Sequence, residues 1–334
     1  MRYIILGLIM AGLFQVFFWI TQDNRVSLIE TSFEKVESLS YSPFEGYDKK
    51  VLSPEQIEED VSMLSHFTTK LRTYSTADAK VILEATSKTD IPIDLGIWIS
   101  GDHKENHLEI QRALKLLEKY PDNIANVIVG NETLLRADLE EEELFAYIDF
   151  VAEFTNKPIT CAETWDVWER IPDLAKHVDF ITIHILPYWE KVPIDRFNDF
   201  IIEKYTLVEK LFPYTKINIG ETGWPSHGYN NNNAVPSLKN QAVAIRGFIN
   251  LASEKGWDYN IVEAFDQQWK GYDEGNVGQY WGIFTSDREL KFYLSGDIEL
   301  NQYWLYQMIA AIIIGALLTL FGLRNQKMNI NHAL

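Results

Sequence analysis

Two short stretches end an apolar run on a glutamate: NVIVGNE, closing on Glu132, and INIGE, closing on Glu221. Glutamate is a poor strand residue and is costly to bury unpaired. One account is structural, a carboxylate paired with a buried arginine. The other is chemical. Two carboxyls held about 5–5.5 Å apart suit cleavage of a glycosidic bond with retention of configuration. One attacks the anomeric carbon; the other protonates the leaving oxygen and then activates the incoming acceptor. Such a pair needs unlike surroundings, so that one stays ionised while the other holds a proton near neutral pH. Glu163 also ends an apolar run, in PITCAET, but its CAETW context lacks an asparagine before the acid, so it reads as a wall residue. Glu190 and Glu263 read as peripheral.

The elements that would position this pair recur along the chain. Candidate strands end near Tyr41, Tyr74, Ser100, Glu132, Glu163, Pro187, Glu221 and Asp266. Helical patterns fall between them. Ile110, Ala113, Leu114 and Leu117 share one helical face, as do Leu144, Tyr147, Ile148 and Val151. SPEQIEED opens with the signature of a capping box, Ser53 and Gln56. Eight strands alternating with helices is the count for a (β/α)8 TIM barrel, in the α/β class. No glycine-rich phosphate turn follows an early strand, which disfavours a doubly wound open sheet. Only the eighth helix, after Asp266, has no clear pattern. In a barrel the fourth and seventh strands stand three apart, so Glu132 and Glu221 face each other across the mouth. The other unusual residues also gather at strand C-termini, where this fold places its chemistry: Tyr41, Arg72, Trp98, Asn131, His184, Tyr188 and Asp266.

The bulk of the sequence narrows the class. The chain has 334 residues, 46% hydrophobic and 13% aromatic with 10 Trp, enough for a large core and for flat apolar faces in a sugar cleft. A net charge of -18 excludes the basic footprint of a nucleic-acid binder. Cys161 stands alone, so no internal disulfide forms, and the seven His make no HExxH-type pattern. No metal site is expected. Both ends are apolar: YIILGLIMAGLFQVFFWI near the start and WLYQMIAAIIIGALLTLFGL near the end. Each is about the ~20 residues that cross a bilayer. The first lacks a clear cleavage site and reads as an uncleaved anchor rather than a signal peptide. The expected organisation is a transmembrane anchor over 3–22, a catalytic domain over 25–300 and a second transmembrane helix over 303–323, with a buried core helix as the alternative for the last. Arg2 before the first span, and Arg324 with Lys327 after the second, place both termini in the cytoplasm. The domain between them is then periplasmic or extracellular.

VGNE and GETGWPS together resemble the motifs of glycoside hydrolase family 17, the β-1,3-glucanases and β-1,3-glucanosyltransferases, and the resemblance runs from about Tyr41 to Phe284. It implies a (β/α)8 barrel, no cofactor, retention, Glu132 as acid/base and Glu221 as nucleophile. KLRTYS is similar to the family's Arg-x-Tyr pattern on strand two. FITIHILPYWE resembles the bacterial form of strand six, in which His184 stands for a family Asn. EAFDQQWKG and GQYWGIF resemble the closing segments. One departure concerns an acid that plant members carry shortly before the closing Gly-Leu-Phe: Gly278 or a neighbour stands there, with Glu274 displaced. The implied substrate is a β-glucan, and the departures point to the bacterial membrane-associated branch. Asn131 is expected to bond the sugar 2-hydroxyl. Arg72 orients Glu221 or forms a structural ion pair with it; Tyr188 donates to the nucleophile or only packs. Trp98, Trp224, Trp269 and Trp281 are stacking candidates, at least one of them core only. Asp266 and Lys270 bind sugar hydroxyls or pair with each other. Tyr41 and Tyr74 complete the substrate-binding set. The rival readings are a non-catalytic glucan-binding protein and an accessory subunit of a membrane glucan synthase; no protein partner is specified.

Overall fold

The computed structural model describes residues 2–21, 25–28, 30–31, 33–301 and 303–331. Eight short runs rich in Val, Ile and Leu form the strands β1 (Val36–Ser40), β2 (Thr68–Arg72), β3 (Ile93–Ile97), β4 (Ile124–Asn131), β5 (Ile159–Thr164), β6 (Ile181–His184), β7 (Ile217–Thr222) and β8 (Asp258–Ile261). All pair in parallel, each with its neighbours in sequence, and β8 pairs with β1 to close the barrel. The (β/α)8 expectation holds. Seven of its helices are present: α1 (Pro54–Ser65), α2 (Thr76–Thr86), α3 (His103–Lys119), α4 (Glu141–Ala152), α5 (Trp165–Arg170), α6 (Phe197–Leu211) and α7 (Leu238–Lys255). After β8 two 3-10 turns, Gln268–Gly271 and Asn276–Tyr280, stand where the eighth helix was expected.

Helix starts follow local chemistry. The Ser53–Gln56 capping box is made in both directions. On α3 the buried face is Ile110, Ala113, Leu116 and Leu117, with Leu114 turned part-way outward. On α4, Leu144, Ile148 and Val151 are buried.

Side-chain alternation divides the barrel into two environments. Leu39, Leu71, Leu95, Val127, Cys161, Ile183 and Ile219 are all buried. Most of the intervening positions are polar, and they bond one another strand to strand. Ser38 donates to Asn260 at 2.7 Å, Lys70 pairs with Asp94 at 2.9 Å, Asn126 donates to Asp94 at 2.7 Å, and Thr160 meets Thr182 at 3.0 Å. Polar groups buried in this way must be satisfied, and the ladder gives the site above it a fixed base.

The barrel unit is Ile29–Ser295. The second unit comprises Met1–Leu28 and Gly296–Leu334. It contains a helix over Arg2–Thr21, another over Trp304–Asn331, and a two-stranded antiparallel ribbon of Arg25–Val26 with Ile298–Glu299. In that ribbon Arg25 pairs with Glu299 and Val26 with Ile298. Among the described residues one helix is long and apolar enough to cross a membrane, Trp304–Gly322, and none of it is buried, so it is not a core helix. Leu8–Thr21 is a shorter apolar helix. Residue 22, the end of the first expected span, lies outside the described residues.

Candidate active site

Glu132 follows β4 with a backbone that few side chains adopt. Gly130 has φ 85° and Glu132 itself φ 55°. A Cβ at Gly130 would lie 2.9 Å from Thr133 Oγ1 and 3.2 Å from Leu144 Cδ1, so only glycine fits there. The turn is fastened on three sides. The Glu132 N–H donates to the Ala162 carbonyl at 2.8 Å. Arg136 donates to the Asn131 carbonyl. The Glu163 carboxylate accepts from the N–H groups of Leu134 at 2.8 Å and Leu135 at 3.3 Å. Glu163 is thus a clamp beneath the Glu132 turn. Its burial pushes its carboxyl up to about 7 despite those two donors.

Glu221 ends β7, where the strand slips register against both neighbours. Gly220 is needed for space: a Cβ there would sit 2.3 Å from Thr182 Cγ2, 3.1 Å from Arg72 Nη1 and 3.2 Å from His184 Cδ2. Two donors and a ring nitrogen face the buried carboxylate. Tyr74 Oη lies 2.8 Å from Oε1, Arg72 Nη1 3.6 Å and His184 Nε2 3.7 Å from the same oxygen. Burial by itself would raise the Glu221 carboxyl; His184 when protonated, Arg72, Lys270 and the Tyr74 hydroxyl outweigh it and hold the group below the usual carboxylate range. Tyr74 spends its proton on Glu221 and so accepts from Ser40 at 2.9 Å, whose hydroxyl oxygen accepts from Asn260 at 2.8 Å. The polar barrel interior therefore reaches Glu221 directly.

Arg72 joins the halves of the site. It is fully buried, donates to the Gly220 carbonyl, and donates to Asn131 Oδ1 at 2.6 Å. That bond fixes the Asn131 amide with its NH2 group as the donor left for a substrate hydroxyl. Both Nη atoms lie 3.3 Å from His184 Nε2, and His184 Nδ1 lies 2.7 Å from Glu132 Oε1. Glu132, His184 and Glu221 offer polar atoms within 4.8 Å of one another, a spacing compatible with a metal ion. Here the Arg72 guanidinium supplies the positive charge among them, which favours a hydrogen-bonded relay.

The remaining expectations sort by burial. Trp224 is core: no part of it is exposed, and its Nε1 donates to the Val235 carbonyl at 3.1 Å. Trp281 is buried and stacks on Trp189 at 5.9 Å. Trp98 is 37% exposed with Arg136 4.4 Å over its ring, and Trp269 is half-buried with Lys49 4.1 Å over its own. Tyr188 does not donate to Glu221; its hydroxyl donates to the Tyr229 carbonyl at 2.6 Å, and Tyr74 takes the role instead. Tyr41 is buried with its hydroxyl on Asp60 at 3.0 Å, part of a clamp that includes Arg288, so it faces the helix layer and not a substrate. Asp266 and Lys270 do not pair with each other. Asp266 bonds Lys291 at 2.7 Å, and burial lifts its carboxyl to about 6. Lys270 pairs with Glu263.

Glu263 is therefore not peripheral. It is buried beside Lys270, and burial pushes its carboxyl up to about 7 although Lys270 opposes this. Burial works against the Lys270 charge as well, but Glu263 and Glu274 hold it protonated above the usual lysine range. The missed signal was the one that exposed Glu221, a glutamate closing an apolar strand, here NIVE. Glu190, accepting from Trp165 Nε1 at 3.3 Å, is exposed as expected. Glu274 comes back in space: a Cβ on Gly278 would lie 2.6 Å from Glu274 Cβ and 2.9 Å from its Oε2. The displaced acid fills the room that a side chain at 278 would take.

A closed parallel barrel presenting two facing carboxylates at the ends of its fourth and seventh strands defines a glycosidase-type site. Residues 38–282 match the BtgE/BtgC glycoside hydrolase domain, and the chain belongs to that family. It is a glycoside hydrolase or glucanosyltransferase. The chain is 28% identical over 256 residues to a glucan 1,3-beta-glucosidase of Schizosaccharomyces pombe, covering 71% of this chain and 79% of that protein. It is 26% identical over 275 residues to a glucan 1,3-beta-glucosidase of Saccharomyces cerevisiae, covering 73% and 86%. The crystal structure of a glycoside hydrolase family 17 beta-1,3-glucanosyltransferase from Rhizomucor miehei superposes with a TM-score of 0.69 at 26% identity, covering 76% of this chain and 94% of that one.

Proposed function

We propose that the protein is a retaining enzyme acting on β-1,3-glucan through a glucosyl–enzyme ester, anchored in a membrane with its barrel outside the cytoplasm. The observation that carries the retaining reading is the approach of Glu132 and Glu221 oxygens to within 4.8 Å across the barrel mouth. Retention needs carboxyls about 5–5.5 Å apart, whereas inversion needs about 6.5–9.5 Å to admit a water. The ionised Glu221 carboxylate attacks the anomeric carbon as the glycosidic C–O bond breaks, and Glu132 gives its proton to the departing oxygen. Glu132, now a carboxylate, takes a proton from water or from a sugar hydroxyl, whose oxygen displaces Glu221 and restores it. Water yields hydrolysis; a sugar yields transfer. The names of the relatives support the β-1,3 linkage. The unburied apolar helix Trp304–Gly322 supports the membrane anchor, and the charges Arg2, Arg324 and Lys327 support a cytoplasmic placement of both ends.

The test is a product profile. The full-length chain is incubated with a β-1,3-gluco-oligosaccharide of defined length beside a Glu221→Gln control, and the anomer formed first is followed by NMR. Products longer than the substrate, absent in the control, establish transfer; shorter ones alone establish hydrolysis. A first-formed anomer opposite to that of the substrate ends the retaining reading, and no product in either sample ends the β-1,3-glucan reading.

A further inference from the structure

His184 stands between the two carboxylates, yet neither half-reaction above uses it. Its ring is fully buried. The charged groups that face it are Arg72 on β2, Glu132 just after β4, Glu163 on β5 and Glu221 on β7. The hydrogen-bond pattern decides which ring nitrogen carries a proton. A guanidinium only donates. Arg72 brings Nη1 and Nη2 each to 3.3 Å from Nε2, so Nε2 must present its lone pair. A hydrogen on Nε2 would point into a buried cation. Glu221 Oε1, at 3.7 Å from Nε2, is too far to draw such a hydrogen. The neutral ring therefore carries its proton on Nδ1, 2.7 Å from Glu132 Oε1.

We propose that His184 is a tautomer-locked positioning residue: Arg72 fixes its proton on Nδ1, and that proton pins Oε1 of Glu132, leaving Oε2 as the oxygen that exchanges a proton with the glycosidic oxygen and then with the acceptor. The inference rests on the retaining reading above for its catalytic consequence, but not for the tautomer. The lock lasts through both half-reactions. When Glu221 becomes an ester it no longer offsets the charge of Arg72, 3.6 Å away, so the pull of Arg72 on the Nε2 lone pair strengthens. The acid/base is then held in one rotamer while it changes from acid to base.

Two substitutions separate the two ends of the ring. In His184→Asn the amide nitrogen falls near the place of Nδ1 and keeps a donor for Glu132. In His184→Gln the amide falls near Nε2, keeps a partner for Arg72 and drops the donor. Both are assayed as the full-length chain on a β-1,3-gluco-oligosaccharide, whose leaving oxygen needs a proton, and on a 2,4-dinitrophenyl β-glucoside or β-laminaribioside, whose leaving group does not. For His184→Gln, kcat/KM is expected to fall about tenfold or more on the oligosaccharide, the scale of a hydrogen bond to a charged group, and to stay within about threefold on the dinitrophenyl glycoside. His184→Asn is expected to lose less than His184→Gln on the oligosaccharide, because its amide keeps the donor to Glu132. Equal losses on the two substrates for His184→Gln, or an Asn variant as damaged as the Gln variant, would overturn the proposal. A measurement independent of activity closes the test: nitrogen NMR of the full-length chain labelled at histidine, with His184 assigned by the Gln variant. The Nδ1–H tautomer near pH 7 supports the lock; an Nε2–H or doubly protonated ring refutes it. An Nδ1–H ring in a protein that turns over neither substrate leaves the lock standing and removes the retaining reading.

Discussion

Glu132 and Glu221 occupy the same kind of place, the C-terminal rim of a barrel strand, in opposite surroundings. The Glu221 side chain is 11% exposed, with Tyr74, Arg72 and His184 around one oxygen. The Glu132 side chain is 24% exposed and meets one donor, His184. A buried carboxylate beside a guanidinium and a tyrosine hydroxyl stays ionised and aimed. A carboxyl open to the cleft with one pinned oxygen can gain and lose a proton against a substrate. The difference teaches that the roles are set by the strands beside each glutamate more than by the glutamates. β1, β2 and β8 supply Ser40, Arg72 and Asn260 to the Glu221 side, whereas the Glu132 turn is fastened mainly through its backbone.

The largest way to break that contrast is to remove each carboxylate's charge. Glu221→Gln is expected to lower turnover by at least ~10⁴-fold on every substrate, the scale on which loss of one member of a catalytic set acts. Glu132→Gln is expected to cost about 10²–10⁴-fold on a glucan and far less on a glycoside whose leaving group needs no proton. Steady-state rates on the two substrates check this; equal losses for Glu132→Gln on both would dissolve the distinction between the sites.

A smaller change sharpens it. Tyr74→Phe removes a hydrogen bond to the Glu221 carboxylate, worth about 1.5–3 kcal/mol, or about 10–100-fold in kcat/KM. The sign of the pH effect is fixed. Tyr74 helps to hold the Glu221 carboxyl low, so its loss raises that pKa, and activity fails at a higher pH on the acid side. A pH–rate profile whose acid limb stayed in place would show that Tyr74 only packs.

The smallest expected effect concerns stability. Glu163 titrates near 7 in the folded protein against 4.5 for the ordinary group. Between those values the folded state binds more protons than the unfolded state, so the Glu163 contribution is present below about 4.5 and is lost as pH rises through 7. Glu163→Gln keeps an acceptor for one of the two backbone N–H groups and removes the titration. Its melting temperature should therefore fall less steeply than that of the wild type from pH 4.5 to 7, by a few degrees on a scale of about 2–4 °C per kcal/mol. Parallel curves for the two proteins would place the titration elsewhere.

Where the sequence was legible, one period or one local motif carried the message. The eight strands showed as short apolar runs, the Ser53–Gln56 cap as a spacing, and Glu132 and Glu221 as acids ending apolar runs. Tyr188 and Tyr74 show the limit. Both follow strand ends and carry a hydroxyl, and only the fold tells that Tyr188 turns to the Tyr229 carbonyl while Tyr74 meets Glu221. Asp266 and Lys270, close in sequence, take Lys291 and Glu263 as partners.

The sequence by itself determined the strand–helix rhythm, the two glutamates and the glycines that admit their turns. These depend on side-chain periodicity and backbone sterics, which act over a few residues. The tertiary structure decided which glutamate is shielded, that Glu163 clamps a turn, that Glu263 is buried with Lys270, and that Arg72 binds Asn131, His184 and Gly220 at once. Glu263 and Lys270 stand seven positions apart, but the Glu163 clamp and the Arg72 contacts bring residues tens to more than a hundred positions apart to hydrogen-bond distance. That follows from closing eight strands into a ring with a polar interior, and no local pattern encodes it.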